Sequence, residues 1–212
     1  MQSTTSRRLF LALVAAVLGF LALSCQAGAG GPGGAGQWDN QTVYTKVGMR
    51  VEPAKRGGGW HMYSTNHIGL PKQIPVGTAF TVRGSTRNGL ELVGEDGTST
   101  HIEFVARHHP ELTLNSWLDR MLSTAPVELP GNLNSSERAA IAEGRYEVGM
   151  SREALFLSIG PPPSILSPSA NDAVLTYEFK RFNRIVLTYE FKHFNRVVIT
   201  FDAEGRIASI KN

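Results

Sequence analysis

Six histidines, His61, His67, His101, His108, His109 and His193, are the residues best suited to holding a metal. Their spacing argues against it. A zinc site needs three or four ligands at recognisable intervals, and the chain has no His-Glu-x-x-His and only one cysteine, Cys25. His108 and His109 are adjacent, and neighbours on a strand point to opposite faces. Nucleophilic chemistry is equally unsupported: serine, histidine and aspartate occur without the nucleophile elbow. The "RGGGW" stretch has glycines but not the lysine of a phosphate loop. No catalytic residue, metal or cofactor is therefore expected, and the chain reads as a non-enzyme. What remains is two basic-aromatic stretches, "KRFNR" and "KHFNR", which set Lys180, Arg181, Phe182, Arg184, Lys192, Phe194 and Arg196 in turns. These groups could meet anionic lipid headgroups or an acidic partner. The same residue types are also common in exposed turns and at blunted sheet edges.

The N-terminal stretch bears on location. Arg7 and Arg8 precede the uncharged apolar run "LFLALVAAVLGFLALS", which stops at Cys25. The run from Leu9 to Leu23 is about fifteen residues, short of the roughly 20 that a bilayer-spanning helix needs, so residues 1–24 read as a cleaved export signal. "ALSC" resembles a bacterial lipobox, with Ala22 where that motif favours leucine. The resemblance implies lipidation of Cys25, and several acyl chains would give firmer anchoring than one. Gln26, in place of an aspartate, suits sorting to the outer membrane. An unlipidated secretory signal is the alternative. "SRRLFLA" also resembles a twin-arginine motif, with Ala12 where lysine is usual; an ordinary positive leader fits equally. A glycine-rich segment from Ala27 to Gln37 follows, so residues 25–40 read as a lipid-bearing flexible tether.

Charge adds an exclusion. The formal net charge is +3, from 21 Lys and Arg against 18 Asp and Glu. Without Arg7 and Arg8 the balance is 19 to 18, or +1, which gives no general pull on nucleic acid.

The remaining chain divides at "TAPVELPGNLNSS" from Thr124 to Ser136, rich in turn formers, which places a linker at 124–135. Residues 41–123 read as a small β-barrel-like domain ending in a helix. "TVYTKVGMRVE" and "WHMYSTN" are candidate strands, and "TAFTVRGSTRNGLELVGEDGTSTHIEFV" holds three more. Asn88-Gly89 and Asp96-Gly97 are the dipeptides expected to supply positive φ at its hairpin turns. "IPVGTAFTV" is similar to the start of a strand in bacterial Src homology 3-like barrels. Leu114, Trp117, Leu118, Met121 and Leu122 form one apolar helical stripe, with Thr113 as N-cap.

In residues 136–212, "SERAAIAEG" and "MSREALFLSIG" read as short helices, the second capped by Ser151 and stopped by Gly160. A repeat follows. "AVLTYEFKRFNR" at 173–184 and "IVLTYEFKHFNR" at 185–196 differ at two positions, and "VVITFD" is a looser third copy. Leu175, Tyr177 and Phe179 alternate with polar partners; Leu187, Tyr189, Phe191 and then Ile199 and Phe201 keep the parity, because twelve is an even shift.

These residues carry a resemblance. Gly149, Met150 and Ser151 start the second helix, Gly160 and Pro162 close it, Tyr177 or its copy Tyr189 sits in an aromatic strand, and Phe201, Asp202 and Gly205 form a last hairpin. From about 136 to 210 the chain resembles the SmpA/OmlA, or BamE-like, outer-membrane lipoproteins. The resemblance implies an α+β fold of two short helices packed on an antiparallel meander, here three family strands plus one duplicated strand. It also implies a non-enzymatic, membrane-anchored periplasmic lipoprotein that binds envelope or outer-membrane assembly proteins. The alternatives are a secreted inhibitor similar to the β-lactamase-inhibitory proteins and, further off, a metal-carrying enzyme.

Overall fold

The computed structural model describes residues 35–55, 57–64, 68–167, 169, 171–179 and 195–211. Among the described residues the fold is α+β, with a curled, mixed eight-stranded sheet, three helices and a separate three-stranded sheet.

The first half contributes β1 (Thr42–Thr45), β2 (Met49–Pro53), β3 (Trp60–Tyr63), β4 (Lys72–Ile74), β5 (Ala79–Thr86), β6 (Gly89–Val93), β7 (Ser99–Glu103), α1 (Leu114–Met121) and β8 (Leu122–Ser123). Their order is β4-β2-β3-β7-β6-β5-β1-β8. Five strands were expected; eight are present, because "TVYTKVGMRVE" breaks at Gly48 into two and because β4 and β8 are too short to show alternation. The pairings are antiparallel except β3 with β7, which run parallel with His61 opposite His101 and Tyr63 opposite Glu103. Inward positions such as Val51, Met62, Leu90, Leu92 and Ile102 are buried, and α1 covers them with Trp117, Leu118 and Met121. Thr113 caps α1 as expected, its Oγ1 accepting from the Ser116 N–H at 3.1 Å.

One of the two turn readings needs correcting. Gly97 does adopt positive φ, +76°, and Asp96 Oδ1 accepts from the Thr98 N–H at 2.9 Å. Gly89 does not. Thr86 pairs with Gly89, so Arg87 and Asn88 make the turn, and Gly89 begins β6 where a Cβ would collide with the Ile102 carbonyl of β7. Close approach, not φ, requires glycine there.

The second half supplies α2 (Ser135–Glu143), α3 (Arg152–Ile159), β9 (Val174–Phe179), β10 (Asn195–Phe201) and β11 (Ile207–Lys211), with the sheet in the order β11-β10-β9. Both helices pack on one face of it: Ala140, Ile141, Ala154, Leu155 and Ile159 share a core with Leu175, Tyr177, Val197, Ile199, Phe201 and Ile207. This is the parity read from the repeat. β9, from the first copy, pairs directly with β10, Tyr177 opposite Val197 and Leu175 opposite Ile199. Residues 180–194, most of the second copy, lie outside the described residues.

The two cores touch. Gly48 N–H donates to the Leu157 carbonyl at 2.7 Å, and Arg50 reaches the Gly144 carbonyl at 2.8 Å. Ile68 and Val76 of the first half pack into the second core. On another side His109 is 3 % exposed and stacked on Phe104 at 5.6 Å. Its Nε2 lies 3.1 Å from the Ser64 carbonyl and its Nδ1 3.4 Å from Ser164 Oγ of the second half. His108 and His109 therefore lie on and just after a 3-10 turn at Ala106–His108, not on a strand.

Candidate functional site

Five of the residues that carry the resemblance, Gly149, Met150, Ser151, Asp202 and Gly205, meet at one joint. Gly149, at φ +88°, and Met150 add a short extended segment to the edge of β11: Gly149 N–H donates to the Ile207 carbonyl and Ile207 N–H to the Met150 carbonyl, both at 2.8 Å. Ser151 Oγ then caps α3, accepting from the Ala154 N–H at 3.2 Å. Asp202 Oδ1 accepts from the N–H of Arg206 at 2.8 Å and of Glu204 at 3.1 Å, and Gly205, at φ +73°, completes the turn. At the other end of α3, the buried Tyr177 hydroxyl donates to the Gly160 carbonyl at 3.1 Å, and Pro162 is buried beside it in sequence. Arg152 lies 3.8 Å over the Phe201 ring.

Glu137 holds this joint together and was not singled out in the sequence. As the third residue of α2 it completes a capping box with Asn134, whose N–H it accepts at 3.1 Å. Its other oxygen accepts the Ser151 N–H at 2.8 Å and faces Arg206 at 3.4 Å. Burial alone would push this carboxyl up; the N–H groups of Ser151 and Asn134 and the Arg206 charge outweigh it and hold it below the ordinary value. The available signal was Asn134-x-x-Glu137, a capping pattern that begins two residues upstream of the helix start that was expected.

Of the predicted binding residues, Arg196 alone lies among the described residues. Cys25, Lys180, Arg181, Phe182, Arg184, Tyr189, Lys192 and Phe194 lie outside the described residues. Arg196 is described: it is exposed on β10 and pairs with Glu178 of β9. The sheet edges are partly engaged, with Ser167 Oγ accepting the Thr176 N–H of β9 at 2.8 Å, while Gly149 and Met150 occupy part of β11. No helix among the described residues is long and apolar enough to cross a membrane.

A second cluster lies on the outer face of the first sheet. Alternation turns Met62 and Ile102 inward and His61, Tyr63, His101 and Glu103 outward. The His61 and His101 rings stack at 5.1 Å, Tyr63 meets His61 edge-on at 4.1 Å, and His61 Nε2 lies 3.3 Å from a Glu103 oxygen. Glu52 of β2, 7 % exposed, pairs across from His61. Burial, then the neighbouring His101, push the His61 pKa down against the pull of Glu103 and Glu52. His61, His101 and Glu103 are the described residues that could hold a metal. Two shallow concavities lie beside Arg87 and Val105 and beside Lys46 and Thr124.

In comparisons with protein-family models, curated proteins and solved structures, none matches the chain.

Proposed function

We propose that the protein is a non-enzymatic, lipid-anchored lipoprotein of the periplasmic face of the outer membrane. It assists outer-membrane protein assembly or envelope integrity by binding other proteins. The reading takes the C-terminal unit as SmpA/OmlA-like, or BamE-like, and the N-terminal half as a bacterial Src homology 3-like module. One observation carries it: Gly149, Met150, Ser151, Asp202 and Gly205, which are scattered over more than fifty positions, meet in a single joint where the lead-in to α3 pairs with the β11 hairpin. The charge-free run ending at Cys25 and the glycine-rich segment after it support the tether.

The test is palmitate labelling with membrane fractionation. Wild type incorporates label and sediments with membranes, whereas Cys25→Ala is unlabelled and soluble. An unlabelled, soluble wild type overturns the tether and favours a secreted binding protein. Cross-linking in the envelope then asks for the partner; recovery of assembly proteins supports the accessory role.

A further inference from the structure

We propose that the outer face of β3 and β7 is a binding site for one divalent transition-metal ion of the zinc type, ligated by His61, His101 and Glu103. The donor set is one that first-row metals favour, two imidazoles and a carboxylate. Geometry supports it. Ligands bonded to a tetrahedral zinc at about 2.0–2.1 Å stand about 3.3 Å from one another, and His61 Nε2 and the Glu103 oxygen are 3.3 Å apart. One donor atom from each of the three residues falls within 4.8 Å of the others, a gap that small side-chain rotations close.

The backbone beneath is set. His61 and His101 are direct partners in the parallel pair, Glu103 is two residues along β7, and Met62 and Ile102 anchor both strands in the core with no exposure. The donors are partly open to solvent, His61 at 15 % and Glu103 at 32 %, so an ion can enter and a water can complete its shell. Glu52 of β2 stands opposite His61 in the strand register and adds a carboxyl group to that neighbourhood. Without an ion, the same side chains form a His–Glu pair and a ring stack, so the experiment must separate the two states.

The purified protein, freed of metal by chelation, is titrated with zinc chloride by calorimetry and with cobalt chloride by visible absorption. One equivalent binds with micromolar or tighter affinity, and cobalt gives the bands of a four- or five-coordinate site. His61→Ala, His101→Ala and the shape-conserving Glu103→Gln each weaken binding by at least tenfold while the circular dichroism spectrum is unchanged. His108→Ala, on the 3-10 turn, binds as wild type does. Absence of saturable binding up to 1 mM zinc overturns the proposal, and so does binding that survives all three ligand variants, which would assign it to other histidines. Neither result bears on the lipid tether, which is read from labelling and fractionation alone.

Discussion

Gly48→Ala should loosen the contact between the two cores. Gly48 has no positive φ, so the argument is purely steric. A Cβ there would stand 3.0 Å from the Ser158 carbonyl carbon and 2.9 Å from Gln73 Nε2, with the Ser158 oxygen nearer still. Carbon atoms rest at about 3.5–4.0 Å, so the β1–β2 turn or the end of α3 must move by roughly half an ångström or more. The hydrogen bond from Gly48 N–H to Leu157 is the first casualty. Overpacking of this kind costs about 1–3 kcal/mol, and a lost hydrogen bond adds about 1 kcal/mol, giving about 2–4 kcal/mol. At about 2–4 °C per kcal/mol for a chain of this size, the melting temperature falls by roughly 4–16 °C. The tryptophans make the assay selective: Trp38, Trp60 and Trp117 all belong to the first core, whereas α2 and α3 belong to the second. Tryptophan fluorescence and far-ultraviolet circular dichroism should give one coincident denaturant transition in wild type and two separated transitions in Gly48→Ala. Gly131→Ala, where an added Cβ meets nothing within 4 Å, is the control. A Gly48→Ala protein within about 0.5 kcal/mol of wild type, the spread of ordinary surface changes, would refute the reasoning.

Two further outcomes follow from the joint and from His109. Glu137→Gln removes a buried charge that accepts two backbone N–H groups and faces Arg206; hydrogen bonds to charged groups contribute about 1.5–3 kcal/mol, so denaturant melts should show a loss of about 2 kcal/mol. His109 has its folded pKa lowered, by burial first and then by His108 and Arg120, although its bond to Ser64 pulls the other way. The unfolded chain then binds the proton more readily, so the stabilisation is complete above the ordinary histidine value of about 6.5 and is lost as pH falls from there through the folded pKa. Denaturant melts between pH 5 and 8 should show that loss in wild type and less of it in His109→Gln; equal slopes would discount His109.

Local periodicity made much of the fold legible. α1 and its Thr113 cap, α3 with Ser151 and Gly160, the β5–β6–β7 hairpins and the inward parity of β9 and β10 are all set by residues within a few positions of one another. What was missed is non-local or short. β4 and β8 hold three and two residues, too few for a period-two pattern, and exist because neighbouring strands supply partners. The pairing of β3 with β7 joins segments about forty residues apart, so spacing rules built for contiguous ligands could not find His61 beside His101. Gly89 was assigned to a turn because its neighbour is asparagine, whereas the crossing Ile102 carbonyl decides it.

The seat that β9 occupies has a second claimant. Val174 to Lys180 and Val186 to Lys192 are the same seven residues, "VLTYEFK", so a slip of twelve positions would present β10 with an identical partner, tyrosine for tyrosine. The sequence therefore spells the β9 strand twice, so a substitution confined to one copy leaves the other copy's residues unaltered.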